Sequence, residues 1–289
     1  MSVSNATSAQ RRVLRALQNQ TADAASLLGQ QQASGNEPSP AWSRDMASRA
    51  NQRHELAAAA EAGGVPLAWI DQARERGAKN IRWNTNLFLR PARPVDRNTL
   101  LEKLGADYAL LARFCSLHAS YRQVAATTEP TTWNTVDQVV TTLWQRSTQI
   151  GVLLGVDGPE AQQHWPAAEW TATTAAAATG LSTEQLAHQW RQIAATDMTS
   201  YSTQALALSK AGIIPDPQFA PPDPSTALAT LARPDLHLPV LFSDAGGAHI
   251  EAAVAATGPQ AGDRGEPDPL MNPPEFSHER HRDTPGAEL

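Results

Sequence analysis

Between Arg74 and Arg97 the chain carries Arg74, Arg76, Lys79, Arg82, Arg90, Arg93 and Arg97 against only Glu75 and Asp96. That is a local charge of +5 in a protein whose net charge is -6. Trp83 lies in the middle of the run. An arginine fork grips phosphate oxygens bidentately, and an indole stacks on a base or sugar. These seven cations and Trp83 therefore point to DNA, in weak and salt-sensitive contact. The same residues would suit an acidic protein partner, with Trp69 and Trp83 as interface anchors. The plainer alternative is a solvated basic face, or one that pairs with acidic segments of its own chain.

Just before this run, Ala60, Gly64 and Ile70 have the spacing of a helix-turn-helix, in which a small residue, a glycine and an inward apolar residue recur at fixed steps. Val65 follows the glycine, and the second helix would turn Gln72, Arg74 and Arg76 outward. Three positions depart from the pattern, Trp69 being bulky for a groove-facing position. Gly63 stands where an apolar residue is usual, and Ala73 where a larger one is. A plain helical hairpin fits these residues as well. Ala176, Gly180 and Leu186 repeat the spacing, but with Gln189 at an inward position and few basic residues after it.

Other chemistries leave little trace. There is no Gly-x-Ser-x-Gly, His-Glu-x-x-His, Gly-x-x-x-x-Gly-Lys or Gly-x-Gly-x-x-Gly motif. The single cysteine, Cys115, can build neither an internal disulfide nor a thiolate metal site. His118 falls on the apolar stripe of a helix and reads as a packed residue with a hydrogen-bond partner. His278 and His281 have the spacing of a metal-ligand pair, but with no third ligand nearby. No catalytic residue, metal ligand or cofactor is assigned. An unfamiliar helical enzyme built on scattered acids stays as a further alternative.

These residues need elements to hold them. Ser39-Pro40 is a strong helix start and Gly63-Gly64 a stop; Pro66 opens a second helix and Gly77 closes it. Leu100, Leu101, Leu104, Tyr108, Leu111, Phe114, Cys115, His118 and Tyr121 recur at three- and four-residue steps, as do Val136, Val139, Val140, Leu143, Ser147, Ile150 and Leu154. Two such helices joined by a short polar loop make an antiparallel hairpin. The expected fold is all-α, an irregular helical bundle built on that long hairpin, with disordered termini.

By segment, 1–38 is expected to be a flexible arm and 39–212 the helical body. The body divides into a helical hairpin at 39–77, a basic connector at 78–95, the long hairpin at 96–154 and further helices at 159–212. One of these is expected to run from Ser182 to about Lys210 with Tyr201, Leu206 and Leu208 inward. Residues 213–224 read as a Pro-rich linker, 225–257 as short C-terminal helices, and 258–289 as a disordered acidic tail.

The wording GGVPLAWIDQARERGAKNIRW, followed by an amphipathic helix, resembles a group of uncharacterised actinobacterial proteins of the mycobacterial type, loosely associated with mobile elements. The resemblance spans roughly residues 53–155. It implies no established activity and carries over no functional residue. The negative net charge argues against a protein that coats nucleic acid or a membrane surface. No apolar run is long enough for a signal peptide or a membrane span, so the expected setting is the cytoplasm, without membrane contact. The expected role is that of a non-enzymatic accessory or regulatory protein contacting DNA through the basic segment. A helical protein–protein adaptor is the alternative, and the oligomeric state is left open.

Overall fold

Capping chemistry sets the helix boundaries. In the computed structural model, which describes residues 6–84, 88–125, 130–216 and 220–231, the chain is all-α, with no strand among the described residues. The helices are α1 (Ser8–Ser34), α2 (Pro40–Ala62), α3 (Leu67–Ala78), α4 (Arg97–Val124), α5 (Pro130–Leu154), α6 (Gly158–His164), α7 (Ala167–Ala176), α8 (Thr183–Ala194), α9 (Thr199–Lys210) and α10 (Pro224–Leu231). Thr7 with Gln10, Asp157 with Glu160, and Ser182 with Gln185 form capping boxes at α1, α6 and α8. Ser39 and Asp96 cap α2 and α4 through their side chains.

The long hairpin is formed by α4 and α5. His118 meets Asp137, Tyr108 meets Ser147, and Leu104 lies beside Gly151, a register only antiparallel helices can keep. Its inner stripe of Leu101, Leu104, Leu111, Cys115, Val136, Val140, Leu143 and Leu153 forms the core's axis.

The first helix departs from expectation. Residues 8–34 form a 27-residue helix, and Val13, Leu14 and Leu17 are fully buried in the common core. The expected flexible arm is therefore corrected from Ser8 onward. The reason is α3, which α1 covers in parallel: Gln10 reaches the Gly64 carbonyl at one end and Gln18 the Ile81 carbonyl at the other. A Cβ on Gly77 would lie 2.5 Å from Thr21 Cβ and 2.6 Å from the Gln18 carbonyl oxygen, so glycine there is what lets the two backbones touch.

Two further expectations change. The helix expected from Ser182 to Lys210 breaks at Ala195–Met198, where the Asp197 carboxylate accepts the Thr199 N–H and starts α9 anew. In α9, Leu208 is buried as expected, while Leu206 is exposed. The Pro-rich linker is laid back on the body at both ends. Ile213 is buried, and the Pro221 carbonyl accepts the Trp144 indole N–H at 3.2 Å. Helix α10 starts at Pro224, earlier than the sequence suggests. The acidic tail, most of the expected C-terminal helices and the His278–His281 pair lie outside the described residues. No helix among the described residues is long and apolar enough to cross a membrane.

Candidate binding face around the basic connector

The turn before the connector is built as the helix-turn-helix spacing requires. Ala60, Val65 and Ile70 are buried, and Gly64 adopts a left-handed conformation with φ of 75°. The departures from that pattern have packing causes. A Cβ on Gly63 would collide with Leu153 of α5, 2.5 Å away, and Ala73 is buried, one turn before the Gly77 that touches α1. Gln72, expected to point outward, is only 4% exposed. The exposed positions of α3 include Leu67, Asp71 and Glu75, followed by Lys79 just past its end, with Arg74 and Arg76 half-buried. A helix read against DNA would present a basic face; this one alternates in sign.

The connector is a strap, held by side chains that point into the protein. Gln18 donates to the Ile81 carbonyl at 2.8 Å, and the Asn19 side-chain oxygen accepts the Trp83 N–H at 2.9 Å. The buried Gln72 works in both directions: its amide donates to the Phe88 carbonyl and its oxygen accepts the Arg90 N–H, each at 2.8 Å. The Trp69 indole N–H then donates to the Arg90 carbonyl at 2.7 Å. In a segment without regular secondary structure, backbone groups of Ile81, Trp83, Phe88 and Arg90 are thus satisfied by side chains, as partly buried backbone must be.

The basic side chains divide into two sets. Arg82 pairs with Asp23 of α1, and Arg90 lies bidentate on Glu75 of α3, one of its two bonds at 3.1 Å. Arg97 is the most constrained. Its guanidinium meets both oxygens of Glu160 at 2.7 and 2.6 Å and donates to the Leu154 and Gly155 carbonyls, tying the start of α4 to the end of α5 and to α6. The Arg90 hydrogen bonds hold the Glu75 carboxyl below its ordinary range, and those of Arg97 do the same for Glu160. Among the described residues, Arg74, Arg76, Lys79 and Arg93 have no such ion pair.

The tryptophans also differ from expectation. Trp69 is 4% exposed and so is no free anchor, and Trp83 is half-buried against the core. The apolar side chains that face solvent here are others: Phe88 at 67% exposure, with Leu67, Ile81 and Val95. Sequence reasoning passed over Phe88 as part of a mixed connector. It also passed over the amides that hold the strap, although Gln18 beside Leu14, Leu17 and Thr21, and Gln72 between Trp69 and Ala73, are polar residues on inward stripes. An amide in such a place has to find backbone to bond.

Two polar centres lie elsewhere. Inside the body, Arg146 donates to Asp107 at 2.7 Å and to Gln204 at 2.6 Å, and Gln204 donates on to Glu55 at 2.8 Å. Burial raises the Asp107 carboxyl above its usual range, against the pull of Arg146. Near the far end of the long hairpin, His118 is fully buried. Its Nδ1 accepts the Trp190 indole N–H at 2.9 Å, which leaves the proton on Nε2, 2.9 Å from Asp137. Trp133 and Trp190 pack on its ring, and Tyr121 packs on both tryptophans. Burial depresses the His118 pKa, and the Cys115 thiol is pushed up to about 12, also by burial. Tyr108, Gly151, Val152, Gly155 and Trp165 line a cleft of about 150 Å³. No group of three or more metal-ligating side chains forms among the described residues.

Comparison with protein families, curated proteins and solved structures finds no match to this chain. Its class is accordingly defined by its own fold: an all-α protein presenting a pinned, basic and partly apolar strap.

Proposed function

We propose that the chain is a non-enzymatic helical accessory protein of the cytoplasm that holds an acidic protein partner on the face made by α3 and the strap. One observation carries this proposal: Phe88 is 67% exposed, while its backbone is fixed from beneath by the buried Gln72. A large apolar side chain displayed on a preorganised segment loses little entropy on binding, and aromatic anchors of this kind dominate interface energies. Lys79 and Arg93 are exposed on the same α3–strap unit and would draw an acidic partner. An accessory role also fits the resemblance to mobile-element proteins.

The test is a photo-crosslinking residue placed at position 88 in the native host, with the same residue at the exposed Leu206 as control. A discrete, acidic adduct from position 88 alone is expected, and the purified partner should bind Phe88→Ala at least about tenfold more weakly. Equal adducts from both positions, or none, would remove the proposal.

DNA is kept as a second function because Arg74, Arg76, Lys79 and Arg93 have no ion pair among the described residues. It requires retardation of duplex or single-stranded DNA at about 50 mM salt, falling steeply as salt rises. Each phosphate-contacting cation removed should lower the salt slope by about one.

A further inference from the structure

Helices α1 and α2 outrun the body they pack on. In α1 the last buried residue is Ala24, and in α2 the first is Ala50. No residue from Ala25 to Arg49 is buried, so about ten residues of each helix, roughly 15 Å, stand clear as a two-helix finger. Its own chemistry closes it. Gly35 takes the left-handed conformation at the end of α1, the Gln31 amide donates to the Asn36 carbonyl, Ser39 caps α2, and Arg49 bonds Asp45. Among the described residues, the side-chain hydrogen bonds of this segment all stay within it.

What the finger lacks is a third side to its seam. Leu27, Leu28, Trp42 and Met46 are only half-buried and lie outside the common core. Two helices of this length with so small a seam are marginal alone, and their stability comes from packing an apolar face. The capped turn presents that face ready-made.

We infer that the finger is the self-association module of this chain, pairing side by side and antiparallel with the finger of a second copy to form a four-helix bundle. Charge selects the occupant. The finger holds Arg44 and Arg49 against Glu37 and Asp45, so it has no net charge to attract a nucleic acid or a strongly acidic or basic protein. It does fit itself. A two-fold axis near Ser43 sets Glu37 of one copy opposite Arg49 of the other and brings both Trp42 rings to the centre. This is the self-complementary arrangement of an isologous interface. Small exposed residues beside the stripe, Ala41, Ser43, Ala47 and Ser48, let the helices approach closely. None of the strap residues takes part, so the module stands or falls apart from the proposed partner face.

Sedimentation equilibrium of the full chain over about 1 to 100 µM tests this, since modest interfaces give micromolar affinities. A monomer–dimer equilibrium is expected within that range. Trp42→Ser and Ala47→Glu should each weaken it at least about tenfold. Ala47 is an exposed helix position, so that variant keeps the fold whatever Trp42→Ser does, and unchanged circular dichroism checks both. Ser43→Cys, at the axis, should form an intermolecular disulfide under mild oxidation, while the buried Cys115 of the parent chain should not. A chain that stays monomeric at the top of the range overturns the inference. So does a dimer indifferent to Ala47→Glu, or one that Ser43→Cys fails to lock.

Discussion

Two arginine–carboxylate pairs in this molecule have the same chemistry and opposite surroundings. Arg146 and Asp107 face each other inside the body, their side chains 11% and 8% exposed. Arg90 and Glu75 meet on the outer side of α3, each about half exposed. In the interior neither charge has water as an alternative partner, so losing one strands the other. At the surface, water or a partner's carboxylate can take either place at little cost. The first pair is a lock between α4 and α5; the second orients a side chain and leaves it available. Under the proposed function, the strap's cations are therefore within a partner's reach even where the free protein pairs them.

The largest effect that can break this contrast is at Arg146. Arg146→Met leaves Asp107 buried without its cation and unties Gln204, and should destabilise the fold by about 3–5 kcal/mol in denaturant titration. Burial already raises the Asp107 carboxyl, so the ionised pair is held against a desolvation cost. Arg146→Met combined with Asp107→Leu should therefore recover most of the loss. A single variant as stable as the parent would put this pair in the same class as the surface ones.

Next in size is the strap's own anchor. Gln72→Ala removes both hydrogen bonds that hold Phe88 and Arg90. The groups it releases are near solvent and can rehydrate, so the expected cost is about 1–2 kcal/mol. The more telling readout is local: amide exchange at Arg90 should accelerate while that in α4 and α5 stays unchanged. If exchange accelerates everywhere, the strap is part of the core's cooperative unit and not a separately held segment.

His118 sharpens the comparison through pH. Its ring accepts from Trp190 and so has no room for a second proton on Nδ1, and burial depresses its pKa despite the pull of Asp137. Arg122 on α4 adds to the depression. In the unfolded chain a histidine takes a proton below about pH 6.5. The folded state resists it, so the unfolded state binds more protons in that window and stability falls as pH drops from about 6.5 through the lower folded value; above 6.5 this contribution is complete. His118→Gln should lose that slope, read as the difference between the two proteins across a pH series. Parallel profiles would show that the buried ring does not couple to folding.

The all-α class and the α4–α5 hairpin were legible because their apolar periodicity runs over more than twenty residues and is satisfied locally. The Ala60–Gly64–Ile70 turn was legible for a similar reason. What could not be read depended on elements distant in sequence. Helix α1 looks too polar to belong to the core until α3 is placed beneath it, with Gly77 opening the contact. The +5 run looks free until Asp23, Glu75 and Glu160 are brought to Arg82, Arg90 and Arg97 by three different helices. Composition gave the charge correctly, but charge in sequence does not say which cations already have a partner. Trp69 was overvalued as an anchor for the same reason, since a tryptophan's exposure is set by what packs over it.

The smallest expected effect is the one that bears most directly on function. Glu75→Gln removes the carboxylate from Arg90 while keeping the side chain's size and its position on α3. Because both partners stand largely in water, the melting temperature should stay within error of the parent at moderate salt. Affinity for the partner of the α3–strap face should change in the opposite sense to a structural defect. Arg90 is released and the local charge rises by one, so association should become tighter and faster, and the gain should vanish as salt rises toward 0.5 M, roughly where screening reaches a few ångströms. Titration of the partner against parent and variant at two salt concentrations reads this directly. Unchanged affinity at low salt would mean that the outer pair, like Arg146 and Asp107, belongs to the fold alone, and that any partner is held by Phe88 and the cations without an ion pair.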